Sequence, residues 1–352
     1  MKKILLLSIA ATLTLTADPF STYIGTKAKG MGGAFTAVSN NNSAMYFNPA
    51  GLVNFEGLSS VQFTLEGGSG AKFNQYSSTI EDKFDTSTSY FIGASVISPD
   101  YGFGVAIYSL YDLEMPANDS YNTHVLEEIT ITSISGAYKL SDTLYPSGGA
   151  LSIGATAAYA TNYSEEIYDD GTVQAGFSGG FLAVGLKMRA LNQHALKIDL
   201  GINYRSGTTL SGSSDMGFGG QGVGIPEEIA YGVAVIYGTQ LGVFTLALDY
   251  KETGYAEATN IPDFNIAVPD FNTMAAGLDY STTSFQARVG LYNSKYDESG
   301  VAGDSISGYT MGLGYVFNET FNVEASYDNR TYTFPDTETS TAFTSFALNI
   351  TI

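Results

Sequence analysis

Val243-Phe244-Thr245-Leu246-Ala247-Leu248-Asp249-Tyr250-Lys251 alternates without a break: Phe244, Leu246, Leu248 and Tyr250 fall on one side of an extended chain, and Thr245, Ala247, Asp249 and Lys251 on the other. Successive side chains of a strand point to opposite faces, so a period of two sorts this segment into one apolar and one polar face. A helical period would scatter the charges around the circumference. The same sorting recurs where Phe321, Val323, Ala325 and Tyr327 oppose Asn322, Glu324, Ser326, Asp328 and Arg330, and where Leu196, Ile198, Leu200, Ile202 and Tyr204 oppose Lys197, Asp199, Gly201, Asn203 and Arg205. A soluble sandwich or solenoid is the competing reading, but its outer faces need charge. Here large apolar residues share one face while the charges share the other, as expected of a barrel that shows lipid its apolar side.

Outward from these segments, the chain divides into fourteen candidate strands near 58–66, 88–97, 101–111, 128–139, 150–163, 173–190, 195–208, 227–238, 242–254, 271–281, 284–294, 307–317, 321–333 and 341–352. Splitting or merging the weak signals near 58–97 and 173–190 gives a range of twelve to sixteen. Tight turns such as Ser98-Pro99-Asp100, Asn192-Gln193-His194, Thr282-Thr283 and Asn318-Glu319-Thr320 alternate with longer polar connections at 67–87, 112–127, 209–226, 255–270 and 295–306. This predicts an all-β fold, a transmembrane antiparallel barrel of fourteen strands over residues 56–352, with periplasmic turns and extracellular loops. The acidic groups Glu165-Glu166, Asp169-Asp170 and Asp297-Glu298 with Asp304 fall in expected loops. They read as solvated loop charge, since no twelve-residue calcium-loop pattern accompanies them.

Composition removes several function classes. The 352 residues carry 15 basic against 35 acidic side chains, a net charge of −20 that does not suit a phosphate-tracking surface, so nucleic acid is not an expected partner. The absence of Cys excludes disulfides, thiolate metal sites and Cys nucleophiles. His124 and His194 are the only histidines, and neither has a convincing Ser partner motif. No catalytic residue, metal or cofactor is expected. At the start, Lys2 and Lys3 precede an apolar stretch from Ile4 to about Leu15, too short to span a bilayer, so residues 1–17 read as a signal peptide cut after Ala17.

Between that signal and the first strand lies the most distinctive stretch, residues 18–55. Gly30-Met31-Gly32-Gly33-Ala34-Phe35-Thr36-Ala37-Val38 is built of small residues that permit close backbone approach, and Asn48-Pro49-Ala50-Gly51-Leu52 reads as a tight turn. The glycine run lacks the Gly-Lys-Ser/Thr ending of a phosphate loop. A barrel of about fourteen strands encloses a lumen that something must fill, and a small-residue segment suits that need.

These two motifs resemble the N-terminal hatch of the FadL/TodX family of outer-membrane transporters for long-chain fatty acids and aromatic hydrocarbons. Ile225-Pro226-Glu227, Leu248-Asp249-Tyr250, Phe285 to Gly290, Tyr309 to Phe317 and Phe321 to Tyr327 are similar to that family's barrel strands. The likeness is strong at both ends and weak from about 70 to 220. It implies a hatch formed around Gly30, Gly32, Gly33, Asn48, Pro49, Ala50 and Gly51, and passive uptake of hydrophobic molecules. It also implies lateral release through a wall gap made by a kinked strand. The expected setting is the outer membrane of a Gram-negative bacterium. The partners are its lipid and lipopolysaccharide and a hydrophobic ligand; the oligomeric state is open, with a monomer favoured. Inward-facing Asp249, Lys251, Arg288, Glu324, Asp328 and Arg330 are expected to form a charge ladder that holds the hatch or wets the lumen. The chain is short for this family and ends in Ile350-Thr351-Ile352 without a terminal aromatic. The alternative is a barrel of this type that serves secretion or assembly and transports no small molecule.

Overall fold

The computed structural model describes residues 24–73, 84–115, 124–141, 149–168, 171–214, 219–254, 270–296, 305–333 and 338–352. Within them, two short helices, α1 (Thr26–Gly30) and α2 (Ala44–Phe47), and a 3-10 turn (Pro49–Leu52) precede sixteen strand segments. These are β1 (Ser60–Phe73), β2 (Phe84–Ile97), β3 (Tyr101–Met115), β4 (His124–Ser141), β5 (Ala150–Tyr168), β6 (Gly171–Gln193), β7 (Leu196–Arg205) and β8 (Thr208–Ser214). They continue with β9 (Gly219–Ile225), β10 (Glu227–Gly238), β11 (Val243–Gly254), β12 (Phe271–Ser281), β13 (Phe285–Tyr296), β14 (Ser305–Val316), β15 (Phe321–Thr333) and β16 (Glu338–Thr351).

The sixteen segments make a barrel of fourteen staves. Arg205 pairs with Glu228 and Thr208 with Ile225, so β7 and β8 are one stave interrupted at Ser206-Gly207, and β9 and β10 one stave interrupted at Pro226, which has no N–H to give a ladder. All neighbours are antiparallel. The cylinder closes where β1 meets β16, from Gln62 opposite Thr351 to Gly70 opposite Phe343, and where β5 meets β6 along its whole length. Closure gives each stave a hydrogen-bonding neighbour on both sides, which is what permits strands to cross a bilayer; no described helix is long and apolar enough to do so.

Alternation sets the two faces as the sequence predicts. On β11, Leu246 and Leu248 are 48% and 54% exposed, whereas Ala247 and Asp249 are buried. Leu182, Leu291, Met311, Leu313 and Phe346 continue the exposed apolar belt on other strands. At the tight-turn end the connections are stabilised by their own side chains: Asn318 Oδ1 accepts from the amides of Thr320 and Phe321 at 2.9 and 2.8 Å. His194 adopts φ 42° in the turn after Gln193.

The long-loop end departs from expectation. Of residues 209–226, expected as a loop, 209–214 and 219–225 instead continue the wall in β8 and β9. A Ser/Thr/Gly-rich strand has no apolar alternation to reveal it. Strands also run further than their apolar pattern: β5 reaches Tyr168, so Glu165 and Glu166 lie on a strand, where Tyr163 Oη and Gln174 Nε2 donate to Glu165 at 3.0 and 3.1 Å. Asp169, Asp170, Asp297, Glu298, Asp304 and the segment 1–23 lie outside the described residues.

Candidate functional site in the barrel lumen

Residues 24–53 form a plug inside the barrel, and the wall makes room for it with glycine. A Cβ added at Gly154, Gly185, Gly201, Gly232, Gly277 or Gly290, on six different strands, would sit 2.0 to 2.8 Å from a plug atom. No side chain fits there, so this belt of inward glycines is the seat of the plug. The plug's own glycines answer it: a Cβ at Gly30 would meet Gly312 Cα at 3.1 Å, and one at Gly32, whose φ is +67°, would meet the Leu291 amide nitrogen at 2.9 Å. Gly51 passes Ser39 so closely that a Cβ would lie 2.0 Å from its carbonyl oxygen. Gly33 is different, because nothing lies within 4 Å of its Cβ position; its φ of +82° is what requires glycine.

Polar wall groups bind the plug's backbone around its rim. Asp249 Oδ2 accepts from the amides of Phe35 and Thr36 at 2.8 and 2.7 Å. Lys187 Nζ donates to the carbonyls of Val38 and Ser39 at 2.6 and 3.3 Å, and Thr310 Oγ1 donates to Gly30 O at 3.1 Å. Glu66 accepts from the Thr26 amide at 2.7 Å and lies 3.9 Å from Lys29 Nζ. Burial pushes Lys29 down to about 8, against the upward pull of Glu66 and Asp328.

Asn48 is the hinge of this arrangement. Its Oδ1 accepts from the Ala50 amide at 3.1 Å and caps the turn that Pro49 opens, while Nδ2 donates to Thr36 O within the plug at 2.9 Å and to Leu186 O of the wall at 3.0 Å. One side chain thereby ties the turn, the plug and β6 together. Ala50 O accepts from Ser152 at 3.0 Å. Beyond the turn, Val53 bridges to Ser98, and Glu56 pairs with Arg189 at 2.7 Å and with Lys197. Partial burial pushes the Glu56 carboxyl up, but hydrogen bonds from Lys197 and Arg189 outweigh it and hold the group below the ordinary carboxylate range.

The residues expected to form a charge ladder all face the lumen and are buried, yet they resolve into separate groups. Arg288 joins Asp279 at 2.7 Å and Glu324 at 3.2 Å. Arg330 joins Asp328 at 2.7 Å, and Tyr292 Oη donates to the same carboxylate at 2.9 Å. Lys251 lies 3.5 Å from Glu228, which Arg205 also meets at 3.1 Å. Asp249 alone among the six holds the plug's amides. Sequence reasoning missed Glu66, Lys187, Ser152, Thr310 and the glycine belt; glycine recurring at inward positions of successive strands was the available signal.

A second lining lies beyond the plug, toward the long-loop end. On β6 the plug touches Gly185 and Lys187, whereas Phe177 and Phe181 stand nearer Gly171; on β10 and its extension it touches Gly232, whereas Ile225 stands further on. With Phe91, Tyr108, Leu110, Ile129, Ile131 and Leu210, these inward residues join one buried apolar cluster that includes the plug's Phe35, Met45, Tyr46 and Phe47. Tyr46 meets Tyr108 edge-on at 5.9 Å, and Tyr108 stacks on Phe91 at 5.9 Å. The arrangement is therefore an inner segment seated against the wall, a buried apolar cluster packed beside it and a lipid-facing exterior. Among the described residues no group of His, Cys, Asp and Glu is arranged to hold a metal.

No protein-family model matches this chain, and no curated protein sequence matches it. Solved structures do. The CymD monoaromatic hydrocarbon channel superposes with a TM-score of 0.65 at 13% identity, over 94% of this chain and 98% of that one. The Pseudomonas putida toluene transporter TodX gives 0.62 at 12% identity over 94% and 98%. A Pseudomonas aeruginosa FadL homologue gives 0.61 at 11% identity over 96% and 99%. Likeness along nearly the full length of both chains establishes that this protein has the FadL/TodX fold, a fourteen-stranded membrane barrel.

Proposed function

We propose that the protein is an outer-membrane channel for passive uptake of hydrophobic molecules, in the size range of aromatic hydrocarbons or long-chain fatty acids. The observation that carries this is the apolar lining of Phe91, Tyr108, Ile129, Ile131, Phe177 and Phe181 beside the plug. A water-filled pore has no use for a contiguous apolar wall, whereas an apolar solute gains roughly 25 cal/mol for each Å² it removes from water there. Polar contacts around the rim would serve a secretion or assembly barrel equally well, but the apolar lining has no role in one. The solved structures of the same fold are described as hydrocarbon channels and transporters, which supports the reading.

In this reading the plug is the hatch. Ligand collects in the apolar lining, competes for the contacts of Tyr46 and Phe47, and leaves through the wall between strands rather than along the axis, because the axis is blocked. The wall between β2 and β3 suits it: the register shifts between Ser87 and Phe91, and Leu110 bulges out of register with β4. Apolar contacts discriminate by only about 1–3 kcal/mol per methylene, so selectivity would be broad. The test is entry of a fluorescent fatty acid and of radiolabelled toluene into liposomes. Faster entry with the barrel than with a plugged porin of similar diameter is expected; equal rates for both solutes overturn the proposal.

A further inference from the structure

The outward face of β10, β11 and β12 changes character toward the long-loop end, which in such a barrel is extracellular. Along β10, Tyr237, Val235, Val233, Tyr231 and Ile229 face outward, and Glu227 is the first charged residue of that series. From Tyr237 to Glu227, at about 3.3 Å per residue and a tilt of about 40°, the strand climbs about 25 Å, the height of a barrel's apolar band. Glu227 therefore stands where the band ends. On β11 the outward series Phe244, Leu246, Leu248 and Tyr250 ends the same way at Glu252, and on β12 Leu278, Ala276 and Met274 lead to Asn272. The wall is stepped at this height. The ladder between β10 and β11 stops at Glu227 opposite Gly254, while β9 continues the wall beyond Pro226 and, among the described residues, pairs only with β8. At the step lies a hollow of about 870 Å³.

Tyr204, Ile229 and Tyr250 border the hollow toward the apolar band, and Glu227, Glu252 and Asn272 border it on the far side. Tyr250 Oη donates to Asn272 Oδ1 at 3.2 Å, which fixes the ring at the border. Among the described residues no hydrogen bond or ion pair holds the carboxylate of Glu227 or Glu252. Thr253 also reaches the hollow; its side chain is buried, and its hydroxyl has no hydrogen-bond partner among the described residues. The chemistry narrows the occupant. Asp270 adds a third carboxylate and no described basic residue lines the hollow, so a bare phosphate is repelled. The carboxylates are not arranged to hold a metal either. Neutral hydroxyls suit the site, because carboxylates accept from them, and the Asn272 amide and the Thr253 hydroxyl bond them in either sense. A tyrosine ring beside these groups offers its apolar body to the carbon face of a sugar. A molecule whose head enters here lays its acyl chains along exposed Val233 and Leu248.

We propose that this hollow binds the sugar head of an outer-leaflet glycolipid, lipopolysaccharide, whose acyl chains lie on the adjoining apolar belt. The site is independent of what passes through the lumen. Titration of the refolded barrel in detergent with purified lipopolysaccharide, read as a shift in semi-native gel mobility, tests it. Deacylated lipopolysaccharide should compete for the site, and phosphatidic acid, with chains and a phosphate but no sugar, should not. Glu227→Gln combined with Glu252→Gln keeps the shape and removes the charge, and should weaken binding about tenfold, as for the loss of charge-assisted hydrogen bonds. Tyr250→Ala should weaken it by a similar factor, whereas Tyr309→Ala, at an outward tyrosine on β14, should leave it unchanged. Folding is checked by heat-modifiable gel mobility, and the glutamine pair keeps the test alive if Tyr250→Ala does not fold. Unchanged or tighter binding in the folded glutamine pair overturns the site. Competition by phosphatidic acid, or none by the deacylated sugar, shows that chains or phosphate are recognised instead and overturns it as well. Binding that EDTA abolishes places a divalent cation between carboxylate and phosphate, and removes the direct sugar contact.

Discussion

Two walls of the same lumen obey the same outward rule and opposite inward ones. Along β11 to β15 the inner face carries Asp249, Lys251, Asp279, Arg288, Glu324, Asp328 and Arg330, each paired with an opposite charge or with plug backbone. Along β2 to β6, beyond the plug, it carries Phe91, Tyr108, Ile129, Ile131, Phe177 and Phe181. Lipid constrains the outside of both walls to be apolar, so only the inside is free to record what the lumen does. The charged wall can hold its groups because each has an opposite charge or a plug amide as partner; a buried carboxylate or guanidinium without one would cost several kcal/mol. The apolar wall instead packs its side chains against one another and against the plug's Met45, Tyr46 and Phe47 in one buried cluster.

The comparison breaks most completely if the plug is not what separates the two ends of the lumen. Deleting residues 20–50 should leave a folded barrel, because closure rests on the strand ladder, and should convert a closed protein into an open pore in planar bilayers. Conductance that stays at the level of the intact protein, in barrels with normal heat-modifiable mobility, would remove the plug from the account of both walls.

The shared outward rule is broken next most readily by charge. Leu246→Arg or Val323→Arg puts a cation on the lipid face and should cost about 2–4 kcal/mol of folding into bilayers near the midplane. Thr245→Arg points into the lumen opposite Asp279, its partner across β11 and β12, and should fold nearly as well as the parent. Urea titrations of refolding into vesicles measure both. Matching losses would mean that the faces have been assigned to the wrong sides.

The same contrast explains how much of the molecule was legible in advance. Where the inside is charged, as on β7, β11 and β15, apolar and polar residues alternate cleanly, and the strands and their faces follow from the residues alone. Where the inside is apolar, both faces draw on the same residues and the period fades. β4 shows the problem: Ile129 and Ile131 are buried in the lumen while Ile134 is 49% exposed to the outside, so its isoleucines change face between positions 131 and 134. The faint strand signals and the weak family resemblance from about 70 to 220 coincide with that lining. Asn48, Pro49 and the plug glycines stood out because tight turns and close approach need particular residues. Lys187, Glu66 and Ser152 did not, since a lone polar residue on an inward position says nothing of what it will touch.

A smaller effect should divide the two walls by function. Asp249→Ala leaves the amides of Phe35 and Thr36 without an acceptor and should loosen the plug by about 2 kcal/mol, typical of hydrogen bonds to a charged group. More frequent channel openings in single-channel recordings are expected, with little change in solute selectivity. Phe181→Ala on the apolar wall should do the reverse, leaving conductance alone and weakening uptake of hydrophobic solute. If Phe181→Ala opens the channel and Asp249→Ala alters solute preference, the division of labour is wrong.

The mildest change tests one contact between plug and wall. Asn48→Ala removes two donated hydrogen bonds and the cap on Ala50, but the plug's other anchors at Asp249, Lys187, Thr310 and Glu66 remain, so a loss of about 1 kcal/mol is expected. Gly185→Ala should be the harsher single substitution, because its Cβ would lie 2.0 Å from Asn48 Oδ1 and must push the turn away. Together the two should be less damaging than their separate effects sum to, since removing the Asn48 amide empties much of the space that the new methyl needs. Pro49 limits the relief, as its Cδ stands 3.0 Å from the same point. Channel-opening frequency for the four proteins of this cycle gives the coupling directly. Additive effects would mean that Asn48 and Gly185 do not meet, and that β6 does not seat the turn.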